Sequence, residues 1–242
     1  MGITGAAELL ATWEAGLAEA PTGRALLLHR TARPDADAAT LPVLPVGSRE
    51  ADLFALRRAL FGERMQVRLA CSACGEDMEF DLDAGEFARS LGGPGDSVVR
   101  VEQDGWDVEF RLPGVADLTA AARAADPRAA LLARCVVTAE RAGVAVSAED
   151  LPAPVQRRIA EAVEAADPGA DVTLSIGCPD CGEATRAELD IASYLWTELD
   201  AWARDLLLDV HLLATSYGWS EPEILALSPL RRRYYLELCA DV

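Results

Sequence analysis

The chain contains no lysine: all 22 of its basic residues are arginine, set against 40 acidic residues for a formal net charge of −18. So large an acidic excess excludes passive attraction to nucleic-acid phosphates. The arginine-only bias fits GC-rich coding and carries no functional weight. Large core-forming side chains are scarce as well. The hydrophobic share is 51%, but 45 alanines supply much of it and aromatics make up only 6%; alanine removes little apolar area from water when buried. Histidine is nearly missing. His29 and His211 are the only two, and neither stands near a serine or cysteine in a pattern suggesting nucleophile and base. There is no GxxxxGK[ST] and no GxGxxG, and the turn-rich Gly92-Gly93-Pro94-Gly95 has no following helix to hold a phosphate. Long apolar runs are lacking too: Leu206-Leu207-Leu208 is soon interrupted by Asp209 and His211, far short of the ~20 residues of a membrane span.

The start, MGITGAAELLATWE, has no basic residues and no long apolar stretch, carries Glu8 and Glu14, and places Ala6 where acylation needs Ser or Thr. A soluble, cytoplasmic protein is expected. In that compartment six cysteines read first as metal ligands or buried thiols.

What is present organises into helices and hairpins. Leu9, Trp13 and Leu17 recur at helical spacing, and a leucine cluster in residues 24–30 follows the break at Pro21. After a Pro- and Asp-rich loop over 31–47, Ser48 can cap a helix through Leu53, Leu56 and Leu60, stopped by Gly62. The period then changes to two. Val67 and Leu69 alternate with Gln66 and Arg68, and Met78, Phe80 and Leu82 alternate with Glu79 and Asp81, a hairpin with Cys71 and Cys74 at its tip. Asp104-Gly105 joins a second hairpin, with Val99 and Val101 facing Trp106, Val108 and Phe110. Residues 115–166 look helical, with Asp126-Pro127 opening one segment and Pro152 and Pro154 another that carries Val155, Ile159 and Val163. A third hairpin carries Cys178 and Cys181. A long helix over 191–217 follows, striped by Leu195, Leu199, Trp202, Leu206 and Val210, and two short helices close the chain, capped by Ser220 with Glu223 and by Ser228.

A shift of 107 residues superposes the two cysteine hairpins, with six identities over thirteen positions: Cys71 on Cys178, Cys74 on Cys181, Gly75 on Gly182, Glu76 on Glu183, Leu82 on Leu189 and Asp83 on Asp190. An aromatic follows each unit, Phe87 in one and Tyr194 in the other. Two residues between cysteines let a turn aim both sulfurs at one point, and four thiolates complete a tetrahedral zinc site with no open position for water. The expected site is one structural Zn2+ held by Cys71, Cys74, Cys178 and Cys181. The 103 residues between the pairs exceed the usual spacing, yet loop closure adds only about 1.6 kcal/mol, against roughly 10–16 kcal/mol for binding structural zinc. Disulfides or a redox dithiol are the rival readings of the same cysteines. A redox pair normally sits at a helix N-terminus, and here Gly-Glu leads into a strand. Cys135 and Cys239 fall among apolar neighbours on predicted helices and read as packing residues. The acidic residues flanking the hairpins outnumber Arg64, Arg68 and Arg186, which favours protein over nucleic acid as partner. In the last helix Leu230, Tyr234 and Leu238 make one face, with Arg231, Arg232 and Arg233 around the others. This end is the best candidate for partner binding, beside the plainer reading of a helix docked on its own domain.

The expected class is α+β: short β-hairpins forming a split zinc ribbon over 63–190, with a mostly helical insertion at 84–170, between an N-terminal helical segment (1–62) and a C-terminal one (191–242). Trp13-Glu14-Ala15-Gly16, Arg24-Ala25-Leu26-Leu27-Leu28, Leu44-Pro45-Val46-Gly47, the two CxxCGE knuckles, Phe110-Arg111-Leu112-Pro113 and Tyr217-Gly218-Trp219-Ser220-Glu221 together resemble the zinc-ribbon proteins of phage-tail-like contractile injection clusters. These are similar to baseplate hub assembly proteins of contractile-tailed phages. The resemblance implies a non-enzymatic baseplate component or assembly factor that folds around zinc and docks other particle proteins, with no nucleic acid, membrane span or small-molecule substrate. A cytosolic thiol-redox protein and a transcription-related zinc ribbon are the alternatives.

Overall fold

The structure is a computed structural model in which residues 5–92 and 96–240 are described. Gly93-Pro94-Gly95 and the first four residues, which figure in the sequence reading, lie outside that set.

Helices α1 (Ala6–Leu17) and α2 (Pro21–Ala32) form where the leucine spacing places them, although Leu17 is turned to solvent. A short turn over Leu41–Val43 precedes α3 (Val46–Phe61). This helix starts before the expected cap, so Ser48 lies inside it. The reason is twofold: Pro45 is extended and cannot continue a helix backwards, and the free N–H of Gly47 is met from afar by Asp167, whose Oδ2 accepts it at 3.0 Å. A side chain at position 47 would meet Asp167 Oδ1 at 1.9 Å, which is why the position is glycine.

Strands β1 (Arg64–Ala70) and β2 (Asp77–Asp83) pair antiparallel, Val67 opposite Phe80. Helix α4 (Ala84–Ser90), not foreseen in the sequence, follows at once, capped by the Asp83 carboxylate on the Glu86 N–H at 2.7 Å. Then come β3 (Val98–Gln103), β4 (Trp106–Arg111), α5 (Val115–Ala122) and α6 (Pro127–Cys135), the last capped by Asp126 as expected. The helical expectation for 115–166 fails next: β5 (Val136–Arg141) and β6 (Val144–Ala145) extend the second hairpin into a four-stranded sheet of order β3-β4-β5-β6. Helix α7 (Ala153–Ala166) buries Val155 and Ile159, and β7 (Thr173–Gly177) pairs with β8 (Ala184–Glu188) as the third hairpin. Helix α8 (Ile191–Tyr217), α9 (Glu221–Leu225) and α10 (Pro229–Ala240) close the chain.

Chain contacts divide into two units. One, residues 1–31 and 192–242, is all helical and so draws on the first and last of the three segments expected from sequence. Its buried residues include Leu10, Trp13 and Leu28, with Leu195, Leu199, Ala203, Leu206 and Leu213 of α8; Trp202 is half-buried, and Ala203 takes the inward place. Trp13 Nε1 donates to Asp200 Oδ1 at 2.8 Å, and Gly16 leaves room for the Trp196 ring, which a Cβ would meet at 2.3 Å. The other unit, Ala32–Ile191, holds the three hairpins. Its core is Val101, Trp106, Val108, Phe110, Leu132, Cys135, Ala139, Leu151, Val155 and Ile159. No helix of the described residues is long and apolar enough to cross a membrane.

Candidate metal centre

The first cysteine hairpin is anchored at its base by Arg57. This arginine is 2% exposed and donates to the carbonyls of Gly62 at 2.7 Å and Arg64 at 2.6 Å, tying the end of α3 to the start of β1. Nothing in the helical spacing marks it. The Ala84 N–H donates to the Glu63 carbonyl at 2.7 Å and closes the hairpin's open end; in the third hairpin Leu189 N–H donates to Val172 O at 2.8 Å. Both hairpins lead straight into a helix, α4 at Ala84 and α8 at Ile191, positions related by the same 107-residue shift as the cysteines.

The two tips are built alike. In the first, Cys71 N–H donates to Glu76 O at 2.8 Å and Gly75 N–H to Cys71 O at 2.9 Å; in the second, Cys178 N–H donates to Glu183 O at 2.8 Å and Gly182 N–H to Cys178 O at 2.9 Å. Gly75 and Gly182 both have φ of 78°, the left-handed conformation that a glycine adopts without strain. This turn lets the chain reverse while both sulfurs stay on one side.

The structure brings the two pairs together. The Sγ atoms of Cys71, Cys74, Cys178 and Cys181 all lie within 4.8 Å of one another, with Cys71 to Cys181 at 3.6 Å and Cys74 to Cys178 at 3.7 Å. Four sulfurs at ~2.3 Å from a tetrahedral ion stand about 3.8 Å apart, so the spacing fits a bound cation. A disulfide requires about 2.05 Å, and all six cysteines are free. Cys71 and Cys178 are buried while Cys74 and Cys181 reach the surface. Around them is a small apolar patch of Met78, Leu69 and Ile176.

Electrostatics favour a cation at this point. The backbone N–H groups of Cys74 and Ala73 lower the Cys71 thiol to about 6. The Glu76 N–H also favours a thiolate on Cys74, yet the neighbouring thiols of Cys71 and Cys181 outweigh it and push Cys74 up to about 12. Cys181 is raised as well. Four thiolates this close repel one another unless a positive ion sits among them. The four together can therefore hold a metal ion, and with every ligand from protein no position remains for substrate.

The tips differ in one contact that sequence reading overlooked. Ser72 N–H donates to Thr185 Oγ1 at 3.1 Å, and the two hydroxyls lie 3.3 Å apart, a direct bond between hairpins. Position 72 corresponds to Pro179 in the repeat, which has no N–H to give, and Thr185 corresponds to Met78. The repeat offset could have located this pair. Cys135 and Cys239 lie away from the cluster on α6 and α10. Cys135 is fully buried in the sheet core, and burial raises its thiol to about 11. On the outer face of the first hairpin, Arg64 pairs with Asp81 at 2.9 Å and Arg68 with Glu79 at 3.2 Å.

A family model for the T4 bacteriophage base plate protein matches residues 27–196, more than two thirds of the chain. The protein belongs to that family and is a structural component of a phage baseplate. The matched span contains both cysteine hairpins and everything between them, and ends in the second turn of α8. No curated protein and no solved structure matches the chain.

Proposed function

We propose that this protein is a non-enzymatic structural or assembly component of the baseplate of a contractile, phage-tail-like injection particle, folded around one Zn2+ and docking other particle proteins. The metal ligands are Cys71, Cys74, Cys178 and Cys181, and the two hairpins form a split zinc ribbon with residues 84–170 as its insertion. The observation that carries the reading is the convergence of sulfurs from two hairpins that are 107 residues apart, at separations fitting a tetrahedral ion. Zinc is favoured by an all-thiolate donor set. The ion's task is mechanical. It closes the ends of the insertion, because an apolar patch of five residues is too small to do so.

Partners are proteins rather than nucleic acid. Two of the three arginines near the hairpins are already matched by carboxylates, and each phosphate contact would work against a net charge of −18. Assembly takes place in the cytoplasm. Elemental analysis of the purified protein tests the reading: about one zinc per chain is expected, with thiol labelling that accelerates only after chelation. A fully folded protein that holds no metal overturns it. Thiols that label rapidly with metal untouched would support the redox alternative instead.

A further inference from the structure

Helix α10 is apolar on both sides. Its inner face carries Tyr235, Leu236 and Cys239, packed with Val210, Leu213, Ile224 and Trp219, and is locked by Arg232, whose Nε donates to Asp209 Oδ2 at 3.0 Å. The sequence reading had selected Leu230, Tyr234 and Leu238 as one face, and these are the residues left outside, at 65%, 60% and 57% exposure. A helix apolar all round is normally buried all round. The stripe runs for about 12 Å at 1.5 Å per residue.

Two properties of the stripe identify what covers it. It is a palindrome in shape: a leucine stands four residues before Tyr234 and another four after it. An antiparallel copy laid across it sets Leu230 against Leu238 and Tyr234 against Tyr234, the self-matching arrangement that a two-fold axis requires. Its charges match in the same way. Arg233 and Glu237 line one edge, paired within the helix at 3.0 Å, and a two-fold axis brings like edges together. Each Arg233 then lies about two residues, roughly 3 Å along the axis, from the level of the other copy's Glu237. The remaining arginine, Arg231, lies on the far edge, where the two copies' residues stand six positions, about 9 Å, apart.

We propose that this face binds a second copy of the chain through antiparallel α10 pairing centred on Tyr234. The inference stands on α10 alone, which lies outside the span matched by the baseplate family, and is independent of the metal reading. A large buried side chain contributes about 150–250 Å², so three half-exposed side chains per copy stay below the ~1,200 Å² at the low end of stable interfaces. The pairing is therefore weak and concentration-dependent. With −18 on each copy it strengthens as salt screens the repulsion.

Sedimentation equilibrium of the full chain across protein concentrations, at low and high salt, is the test. A monomer–dimer equilibrium that shifts to dimer with salt is expected, weakened about tenfold or more by Tyr234→Glu. Arg233→Glu and Glu237→Arg should each weaken it singly, and together restore it. Should Tyr234→Glu perturb the fold, seen as a changed circular dichroism spectrum, the charge exchange still decides. A monomer at every concentration, a dimer indifferent to Tyr234→Glu, or a double exchange that fails to restore pairing overturns the proposal. So does flotation of monomer with anionic phosphatidylglycerol vesicles that Leu230→Ser abolishes, which would make the stripe a membrane contact.

Discussion

The cysteine hairpins and the four-stranded sheet sit in the same unit and are held together by opposite means. Around the cysteines the apolar cluster amounts to Cys71, Met78 and Cys178 with Leu69 and Ile176 at its edge. The sheet and its helices bury ten residues, Val108, Phe110, Val155 and Ile159 among them, at 3% exposure or less. An isolated two-stranded hairpin is marginal in water, whereas several strands packed on a helix are stable. The contrast teaches that the hairpins need a cross-link and the sheet does not. An alanine-rich sequence concentrates its few large side chains in one place and leaves the other to coordination chemistry.

The strongest way to break this contrast is to remove the cross-link. Cys178→Ser, or chelation of the native protein, should abolish metal binding and expose β1, β2, β7 and β8 to hydrogen exchange while β3–β5 stay protected. The loss is drawn from the roughly 10–16 kcal/mol available to structural zinc sites. Equal loss of protection in the sheet would show that the two regions are one cooperative block. Phe110→Ala is the converse experiment. Truncating this 3%-exposed ring should cost about 3–5 kcal/mol, lowering the denaturant midpoint while the protein still binds metal at low temperature. A variant that sheds its metal at low temperature would argue that the sheet supports the cysteines.

The same contrast decides what could be read in the sequence. The hairpins were legible because alternation, CxxC spacing and an internal repeat all survive in one dimension, and the convergence of the pairs followed from ligand number. Strand β5 was not, because its burial follows no alternation: of its six residues Ala139 alone is fully buried, and Val137 stays exposed. Val136 also continued the spacing of Leu132 in α6, so the helical period ran on past the helix's end. The surviving signal was Ala142-Gly143, both with positive φ, making a second tight turn between strands. Arg57 and Asp167 were invisible for a different reason: their partners are a carbonyl corner and a helix N-terminus 120 residues away, and neither is encoded in periodicity. For α10 the spacing identified the apolar stripe correctly but could not say which of two apolar faces turns inward.

A smaller effect separates the regions by pH. Asp117 is fully buried beside the sheet, and its carboxylate accepts from Arg111 at 2.6 and 2.7 Å, from Arg134 at 3.0 Å and from the Gly114 N–H at 3.1 Å. The bonds from Arg111, aided by those from Gly114 and Arg134, hold it down at about 2, below its usual 3.8. A group lowered on folding contributes stability that is complete above its unfolded value and lost as pH falls through the folded one. The stake is about 2 kcal/mol. Asp117→Asn should therefore lie below the native protein at neutral pH and converge with it between about pH 4 and 2. Cysteine protonation, common to both proteins, cancels in that difference. A gap that is constant with pH would assign the role of Asp117 to shape rather than charge.

The finest test lies within the hairpins themselves, whose tips differ mainly in the bond from Ser72 to Thr185. Thr185→Val keeps the volume of this buried side chain but removes the acceptor for the Ser72 N–H, a change of about 1 kcal/mol. If coordination dominates the region, metal content stays at one ion per chain, and only exchange of the Ser72 amide accelerates, with Cys178 and its neighbours unaffected. The bond runs between the hairpins rather than within one, so its loss also reports how far they rely on each other. A variant that releases metal more readily would mean that this hydroxyl orders the tips before an ion arrives, and that protein contacts share the task assigned to coordination.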